Sequence, residues 1–208
     1  DQMKLNELIK CDYDIEVNGI KTNSNQIKQN DLFICTDYGT MDRHLFIDDA
    51  IKNGASAIIV KKDIENKSVP IIKVDDPNKE FVSIINKFYD YPTKKLNMIG
   101  ITGTDGKTTV ATIIHNLIED CAYIGTNGII YKDYKEKSPN TTPALDKTYP
   151  LFVDMINKGV KTVSMEASSE GILFERVRGI EFNCSIITNI TKEHMNHHHT
   201  LENYIDCK

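Results

Sequence analysis

The chain has 208 residues, of which 40% are hydrophobic and 26% are charged, and its formal net charge is −5. This length and composition are typical of a globular protein with one large or two small domains. A negative net charge excludes a general attraction to nucleic acid, and no apolar run is long enough to span a bilayer, so neither nucleic acid nor a membrane is an expected partner.

The first part of the chain is predicted to alternate between strands and helices. Asp76-Pro77 is typical of a helix start, with Asp76 as the N-cap and Pro77 as the first helical residue. Gly54 is expected to end the preceding helix. The predicted elements are a strand at 31–36, a helix at 46–53, strands at 55–60 and 70–74, and a helix from residue 77. This alternation favours an α/β domain.

A domain boundary is predicted at residues 91–95, where Pro92 and several basic and polar residues interrupt the helical pattern. The first domain is therefore expected to cover residues 1–92 and the second residues 96–208. The second domain is also predicted to be α/β, and no repeats are present.

The second domain is predicted to begin with an apolar strand at 96–102, a glycine loop and a helix. This helix is expected to bury five apolar residues, which are Val110, Ile113, Ile114, Leu117 and Ile118. Residues 131–143 are polar and turn-rich, which predicts a loop. The remaining predicted elements are a helix at 151–158 ended by Gly159, strands at 161–166 and 181–188, and a helix at 201–208.

The glycine loop reads Gly103-Thr104-Asp105-Gly106-Lys107-Thr108-Thr109, and Ile101 stands where the strict P-loop pattern has its first glycine. Glycines still allow backbone N–H groups to face phosphates, and the helix N-terminus adds partial positive charge. Lys107 can reach the β- and γ-phosphates, and the Thr108 hydroxyl can bind Mg²⁺. The pattern therefore predicts a site for ATP with magnesium rather than a simple turn with a solvent-facing lysine.

Glu166 is predicted to end the strand at 161–166. Ligands of parallel sheets bind beyond the carboxyl ends of the strands, so Glu166 could hold magnesium or orient a water. A solvated glutamate at a strand end explains the same pattern equally well. Both interpretations stay open from the sequence.

Four histidines, His194, His197, His198 and His199, follow the strand at 181–188. None of the cysteines lies at zinc-finger spacing from them, so most are expected in a solvated polar loop. His194 comes soonest after the strand and is the one predicted to approach the phosphate site.

The five cysteines are odd in number and scattered, without disulfide or metal-ligand spacing. Free thiols in a reducing cytoplasm are the better interpretation. The N-terminus has no apolar signal segment. A cytoplasmic protein is therefore predicted.

Taken together, these segments resemble the Mur ligase family, and most closely its UDP-N-acetylmuramoyl-tripeptide synthetase branch. In the second domain the matching segments are 102–109, Asn140-Thr141-Thr142-Pro143, Met165-Glu166-Ala167-Ser168-Ser169, Arg176-Val177, Thr188-Asn189 and 193–204. In the first domain they are 22–25, 30–33 and 54–55. Each motif alone is modest, but the ordered set is specific.

The resemblance implies a small N-terminal α/β domain that binds a uridine nucleotide, followed by a P-loop-type α/β central ATPase domain. It also implies an ATP-dependent amide ligase of peptidoglycan synthesis. Such an enzyme transfers the γ-phosphate of ATP to the terminal carboxylate of a UDP-N-acetylmuramoyl dipeptide. A free amino acid then attacks the acyl phosphate, which gives an amide, ADP and phosphate.

The resemblance further assigns roles to individual residues. ATP would be bound by Gly103, Thr104, Asp105, Gly106, Lys107, Thr108 and Thr109. The catalytic residues would be Lys107, Glu166, His194 and Lys208, and magnesium would bind Thr108, Glu166, His194 and Lys208, the last as a carbamate. The muramoyl peptide would contact Asn140, Thr141, Thr142, Ser168 and Arg176, and the uridine nucleotide would contact Thr22, Ser24, Gly39, Thr40 and Met41.

The chain departs from the family pattern at several positions. Asn25 stands where the family usually has arginine, Glu170 where it has histidine or glutamine, and Phe174 where it has a polar residue. Asp105 replaces a frequent asparagine and Glu193 replaces an aspartate. These changes leave the nucleotide and metal interpretation in place and bear on the identity of the acceptor substrate.

The resemblance stops inside the central domain at Lys208. The domain that selects the amino acid is therefore expected to be absent, and this chain alone is not expected to complete a ligation. Three alternatives remain open: a related ligase with a different acceptor, a P-loop kinase or NTPase, and a non-catalytic UDP-sugar-binding module. The departure from strict P-loop spacing counts against the kinase.

Overall fold

A computed structural model of the chain describes residues 2–38, 41–65 and 67–191. The chain divides into two compact units, Asp1–Asp90 and Tyr91–Lys208. In the described part of the chain, no helix combines the length and the hydrophobicity needed to cross a bilayer.

The first unit is built on a parallel sheet, and its first two strands lie outside that sheet. The strands of the unit are β1 (Met3–Lys4), β2 (Glu16–Val17), β3 (Gly19–Lys21), β4 (Asp31–Ile34), β5 (Ala57–Val60) and β6 (Ile71–Lys73). Its helices are α1 (Leu5–Leu8), α2 (Ile47–Lys52) and α3 (Pro77–Phe88), with 3₁₀ turns at Ser24–Gln26 and Arg43–Phe46. Strands β3 to β6 form a four-stranded sheet in chain order, and all neighbours are parallel.

The core of this unit lies on the central strands β4 and β5, which are buried along their whole length. Phe33 and Ile58 pack there in one apolar cluster with Ala50 of α2. Helix α3 begins as predicted, because the Asp76 carboxylate accepts hydrogen bonds from the N–H groups of Asn78 and Lys79 at 3.1 and 3.0 Å.

The second unit is built on a six-stranded mixed sheet. Its strands are β7 (Asn97–Thr102), β8 (Cys121–Gly125), β9 (Gly128–Tyr131), β10 (Tyr134–Glu136), β11 (Thr162–Glu166) and β12 (Cys184–Ile187). Its helices are α4 (Lys107–Leu117), α5 (Leu145–Asn157) and α6 (Ser169–Leu173), with a 3₁₀ turn at Pro92–Lys95. The strand order is β10-β9-β8-β11-β7-β12.

Strands β8, β11, β7 and β12 are parallel, whereas β9 and β10 continue the sheet as antiparallel neighbours. The carboxyl ends of β7, β8 and β11 therefore meet at one edge of the sheet, with β11 in the middle. Loops that leave this edge can bring their side chains together. The sheet topology thus positions the glycine loop, Thr126 and Glu166 side by side.

The α/β fold class is confirmed, but several predicted elements are wrong in detail. The segment predicted as a loop at 131–143 contains the edge strand β10, whose short polar sequence carries little strand signal. Strands β8 and β9 were not predicted. Helix α5 starts at Leu145 instead of residue 151 and contains Pro150. The helix continues through this proline because it buries Tyr149 and Phe152, whose ring centroids lie 5.7 Å apart. The predicted helix at 201–208 lies outside the described residues.

Helix α4 does not bury the face that its sequence predicts. Ala111 is its fully buried residue, and Val110 and Ile114 pack only partly against the sheet. The other three apolar residues are exposed: Ile113 at 50%, Leu117 at 80% and Ile118 at 39%. The helix lies close to the sheet because alanine is small and because Ser164 Oγ on β11 donates to the Ala111 carbonyl at 3.0 Å. The contact stripe is therefore narrower than the apolar pattern.

Candidate active site

The glycine loop runs from the end of β7 at Thr102 to the start of α4 at Lys107. Gly103 and Gly106 have φ angles of 143° and 81°, in the region that favours glycine. A Cβ at Gly103 would also collide with the Thr188 hydroxyl. The two glycines are therefore required by the backbone itself, which supports the prediction of a specialised loop.

The loop is fastened to the segment that follows β12. Asn189 accepts hydrogen bonds from the N–H groups of Thr104, through its carbonyl, and Asp105, through its side chain, both at 2.9 Å. The Thr188 hydroxyl donates to the Asp105 carbonyl at 2.5 Å. These two loop amides are thus already engaged. The N–H groups at the start of α4, which have no partner within the helix, are better placed to bind an anion than those of the loop.

Lys107 lies at the first position of α4 and its side chain folds back over the loop. Its Nζ donates to the carbonyls of Gly103 and Thr104 at 2.8 and 2.9 Å. The ammonium group is therefore held above the loop, on the side where the helix N-terminus points. A cation at this place is suited to a phosphate chain.

Glu166 ends β11 and is completely buried. Its carboxylate accepts hydrogen bonds from Tyr123 Oη at 2.5 Å and Thr108 Oγ1 at 3.0 Å. Thr126 donates to it twice, through its N–H group at 3.1 Å and its hydroxyl at 3.2 Å. This burial excludes the solvated strand-end glutamate that the sequence left open.

Tyr123 and Thr126 belong to the site although the sequence did not point to them. Tyr123 lies on β8 and Thr126 directly after it, and β8 was not predicted as a strand. The pKa of Tyr123 is raised well above its usual value, first because burial removes the hydroxyl from water and second because it donates to the Glu166 carboxylate. The sequence feature that could have pointed to these two residues is Gly125, because a Cβ at this position would collide with both Glu166 and Tyr123.

A second group of predicted residues lies beside Glu166. The Thr142 side chain is fully buried, and its hydroxyl donates to the Glu166 carbonyl and accepts from the Ser168 N–H, both at 2.9 Å. Arg176 donates to the Thr142 carbonyl at 3.2 Å, and its guanidinium lies 5.4 Å from the centre of the Phe174 ring. Thr142 therefore orients the Ser168 and Arg176 segments and does not itself face the solvent.

A cavity of about 470 Å³ lies beside these residues. Its lining includes the whole loop from Gly103 to Thr109 together with Thr126, Pro139, Asn140, Thr141, Glu166, Ser168, Ser169, Glu170 and Arg176. The cavity thus brings together the predicted ATP residues and most of those predicted for the muramoyl peptide. Its cations, Lys107 and Arg176, lie among the acids Asp105, Glu166 and Glu170.

The remaining predicted residues fall elsewhere. Thr22 and Ser24 are buried in the first unit, and their carbonyls accept hydrogen bonds from Arg43 and, at 2.9 Å, from Asn53. Met41 is 60% exposed. The other four, Gly39, Thr40, His194 and Lys208, lie outside the described residues, as do the histidines after His194.

In the described part of the chain, two groups beside the glycine loop can bind a divalent cation through oxygen. They are the Thr108 hydroxyl and the Glu166 carboxylate. Oxygen ligands of this kind suit Mg²⁺, which keeps several waters and usually takes few protein ligands. Within residues 2–38, 41–65 and 67–191, no cluster of three or more histidine, cysteine, aspartate or glutamate side chains could hold a metal ion. The Thr108 hydroxyl and the Glu166 carboxylate therefore fit a magnesium ion that is shared with a phosphate chain.

Comparison with known proteins identifies similar sequences. Residues 101–208 match the family model of the Mur ligase middle domain. A UDP-N-acetylmuramoyl-L-alanyl-D-glutamate–2,6-diaminopimelate ligase of Clostridium perfringens (strain 13 / Type A) is 38% identical over 207 residues, which cover 97% of this chain and 43% of the relative. UDP-N-acetylmuramyl-tripeptide synthetase 2 of Oceanobacillus iheyensis is 39% identical over 200 residues, which cover 92% of this chain and 40% of the relative.

Solved structures share the fold. A UDP-N-acetylmuramoyl-L-alanyl-D-glutamate–2,6-diaminopimelate ligase superposes with a TM-score of 0.82 at 24% identity, covering 100% of this chain and 44% of that one. The MurF ligase from Thermotoga maritima in complex with ADP superposes with a TM-score of 0.55 at 21% identity, covering 92% of this chain and 42% of that one. The chain spans less than half the length of these relatives.

Proposed function

The chain belongs to the Mur ligase family, and from that premise we propose that it carries the phosphate-binding part of an ATP-dependent amide ligase of peptidoglycan synthesis. The substrate we propose is a UDP-N-acetylmuramoyl dipeptide, to which the enzyme joins a free amino acid in the cytoplasm. The relatives that carry the names of such ligases support this substrate class. Family membership also counts against a P-loop kinase.

The observation that carries the proposal is the pairing of Thr108 with Glu166 at the phosphate loop. Their oxygens lie 3.0 Å apart, although the residues come from α4 and β11. A hydroxyl from a phosphate-binding helix and a carboxylate from the neighbouring strand are the ligand types that hold Mg²⁺ on a nucleotide. When bound there, magnesium would neutralise charge on the triphosphate.

The chemistry we propose for the residues around the cavity is positioning and charge neutralisation. A carboxylate oxygen of the dipeptide attacks the γ-phosphorus of ATP, the bond to the β-phosphate oxygen breaks, and ADP leaves. The amine of the incoming amino acid then attacks the acyl carbon and phosphate leaves. Lys107 and the first amides of α4 would hold the triphosphate during the first step.

We propose that Arg176, Ser168, Asn140 and Thr141 hold the muramoyl-peptide end. They share the cavity with Lys107, and Arg176 offers a charge that suits the carboxylates of the peptide. Thr142 would act by orienting Ser168 and Arg176. The roles of His194 and Lys208 as further magnesium ligands, with Lys208 carbamoylated, remain part of this proposal on the strength of the resemblance alone.

We also propose that the unit Asp1–Asp90 binds the uridine nucleotide through the segments at 22–24 and 39–41, and that residues 96–208 form the ATP-binding domain. In the parallel sheet of the first unit, strand β4 ends at Ile34, and the second of these segments belongs to the stretch of chain that follows it. Loops that follow parallel strands are the usual place for such ligands.

The nucleotide site is tested by the substitution Lys107→Ala. We expect the affinity for ADP or a non-hydrolysable ATP analogue to fall about 10- to 100-fold, because a charged donor to the phosphates is lost. Lys161→Ala is the control, since Lys161 is 75% exposed and pairs with Asp120 at the opposite end of β11. Isothermal titration calorimetry measures both. Unchanged affinity in Lys107→Ala would remove the nucleotide site.

The ligase reaction is tested by following the release of ADP and phosphate. A ligase turns over, and so releases both products repeatedly, only when both the UDP-N-acetylmuramoyl dipeptide and an amino acid are present. Release with ATP alone would indicate an NTPase, and release with an unrelated phosphate acceptor would indicate a kinase.

A further inference from the structure

We propose that the Tyr123 hydroxyl is a positioning group that orients the Glu166 carboxylate for cation binding. It holds the oxygen Oε1 against β8, so that Oε2 is turned to the Thr108 hydroxyl and the phosphate loop. The inference rests on the proposed function of Glu166 as a magnesium ligand and specifies which of its oxygens is available.

The two carboxylate oxygens have different surroundings. Oε1 accepts from Tyr123 Oη at 2.5 Å and from the Thr126 N–H at 3.1 Å, and both donors belong to β8 or its end. Oε2 accepts from Thr108 Oγ1 at 3.0 Å and Thr126 Oγ1 at 3.2 Å. Hydroxyls can rotate and accept instead, whereas the N–H group on Oε1 cannot. Oε2 is therefore the oxygen that can change its partners.

The direction of the Tyr123 hydrogen bond is set by a second contact. The hydroxyl oxygen accepts a hydrogen bond from the Asn127 N–H at 3.2 Å. Because a phenol has a single proton, and Asn127 supplies its own, that proton is free to point at Glu166. The tyrosine thus donates to the carboxylate and does not compete with it for a donor.

The approach of Tyr123 to Glu166 is built into the backbone. A Cβ at Gly125 would collide with Glu166 Oε1 and lie only 2.5 Å from Tyr123 Oη. Only glycine leaves space for this contact. The tyrosine ring is anchored independently of its hydroxyl, since it is 1% exposed and packs in an apolar cluster with Ile101 and Ala111.

The electrostatics of the carboxylate support a positioning role. Among the described residues, the donors to Glu166 are all neutral, and Lys107 donates to loop carbonyls instead. A buried carboxylate whose donors are all neutral keeps an uncompensated negative charge, which attracts a cation to the oxygen that can release its partners. In metal sites generally, the carboxylates that bind the metal are themselves held by hydrogen bonds, which fix their orientation.

The test is Tyr123→Phe in the full chain, with Tyr131→Phe as a matched control. Tyr131 is also fully buried and also donates to a carboxylate at 2.5 Å, but its partner is Asp154, outside the cavity. The probe is Mn²⁺, followed by electron paramagnetic resonance in the presence of a non-hydrolysable ATP analogue. The affinity for the analogue in EDTA and the melting temperature of each variant are measured in parallel.

We expect Tyr123→Phe to weaken Mn²⁺ binding about 10-fold or more, with analogue affinity in EDTA unchanged within about 2-fold. Tyr131→Phe should alter neither quantity, although both variants lose a hydrogen bond from a tyrosine to a carboxylate. Unchanged Mn²⁺ affinity in Tyr123→Phe would overturn the inference. Equal weakening in both tyrosine variants would also overturn it, because the effect would then come from general destabilisation.

The Glu166→Gln variant distinguishes the proposed role of Glu166 in cation binding from the positioning role of Tyr123. Its carboxamide can keep the same four partners, because the oxygen can replace Oε1 and the threonine hydroxyls can accept from the NH₂ group. If this variant loses Mn²⁺ affinity and Tyr123→Phe does not, the proposed function stands and the positioning role fails. If Glu166→Gln keeps full Mn²⁺ affinity, the proposed role of Glu166 itself fails.

Discussion

At the scale of single residues, Glu166 shows how the protein keeps a charge away from water. A carboxylate without hydrogen-bond partners could not remain ionised in such a place. Its four hydrogen bonds come from three residues, which are Tyr123 on β8, Thr126 directly after β8 and Thr108 on α4. The same donors that make its burial tolerable also determine where the two oxygens point, so stability and the proposed cation binding depend on one set of contacts.

Burial also changes the pKa of the cysteine thiols and their access to reagents. It raises the pKa of Cys35 to about 12 and that of Cys121 to about 11, whereas Cys184 is exposed. We expect iodoacetamide at pH 8 to label Cys184 in the folded chain and to reach the two buried thiols only after unfolding, because the thiolate is the reacting species. Mass spectrometry of the tryptic peptides measures the order. Equal rates for Cys121 and Cys184 would contradict the described burial.

The same shifts predict how stability changes with pH. Both thiols titrate at higher pH in the folded state than in the unfolded state, where the ordinary value is 9.0. Their contribution to stability is therefore complete below about pH 9 and is lost as the pH rises through the folded values. Urea unfolding at pH 8 and pH 10 should show a lower free energy of unfolding at pH 10, and Cys121→Ser should reduce the difference.

At the scale of elements, the conformation of the glycine loop depends on the segment after β12. Asn189→Ala removes the side-chain acceptor for the Asp105 N–H, and we expect nucleotide affinity to fall about 3- to 10-fold, since one ordinary hydrogen bond that orders the loop is lost. Asn183→Ala is the control, because Asn183 accepts from the Met98 N–H at 2.8 Å near the other end of β7. Calorimetry should show an effect only in the first variant. Similar losses of affinity in both variants would mean that the pairing of β7 with β12, and not the order of the glycine loop, determines nucleotide affinity.

Helix α4 provides a test of the corrected packing. Leu117→Ala should change the free energy of unfolding by about 0.5 kcal/mol or less, because the side chain is 80% exposed. Met165→Ala, at a fully buried position of β11, should cost about 2–5 kcal/mol. Urea denaturation measures both values. A large loss of stability in Leu117→Ala would mean that helix α4 buries the broad apolar face that its sequence predicts.

At the scale of the whole molecule, each of the two units has its own main sheet and its own apolar core among the described residues. Phe33→Ala removes a buried ring from the first core and should cost about 3–5 kcal/mol there. We expect hydrogen exchange to accelerate in β3 to β6 and to stay unchanged in β7, β8 and β11. Mass spectrometry of the exchanged peptides resolves the units, and equal acceleration in both would show that they unfold together.

The glycine loop between a strand and a helix, and the α/β character of both units, could be predicted from the sequence alone. These features depend on local order: two glycines at positive φ, then a lysine and a threonine at a helix start, and apolar runs of strand length. Glu166 could be placed at a strand end for the same reason. Its burial could not be derived, because nothing near it in sequence covers it.

The residues that meet around Glu166 are visible only in the folded structure. Tyr123 lies 43 positions away from it, and Asn189 lies 84 positions from the loop amide that it binds. Contacts of this kind depend on strand order, since β11 enters the sheet between β7 and β8. Sequence periodicity reports which face of an element is apolar, but the exposed Leu117 shows that the neighbouring strands decide how much of that face is covered.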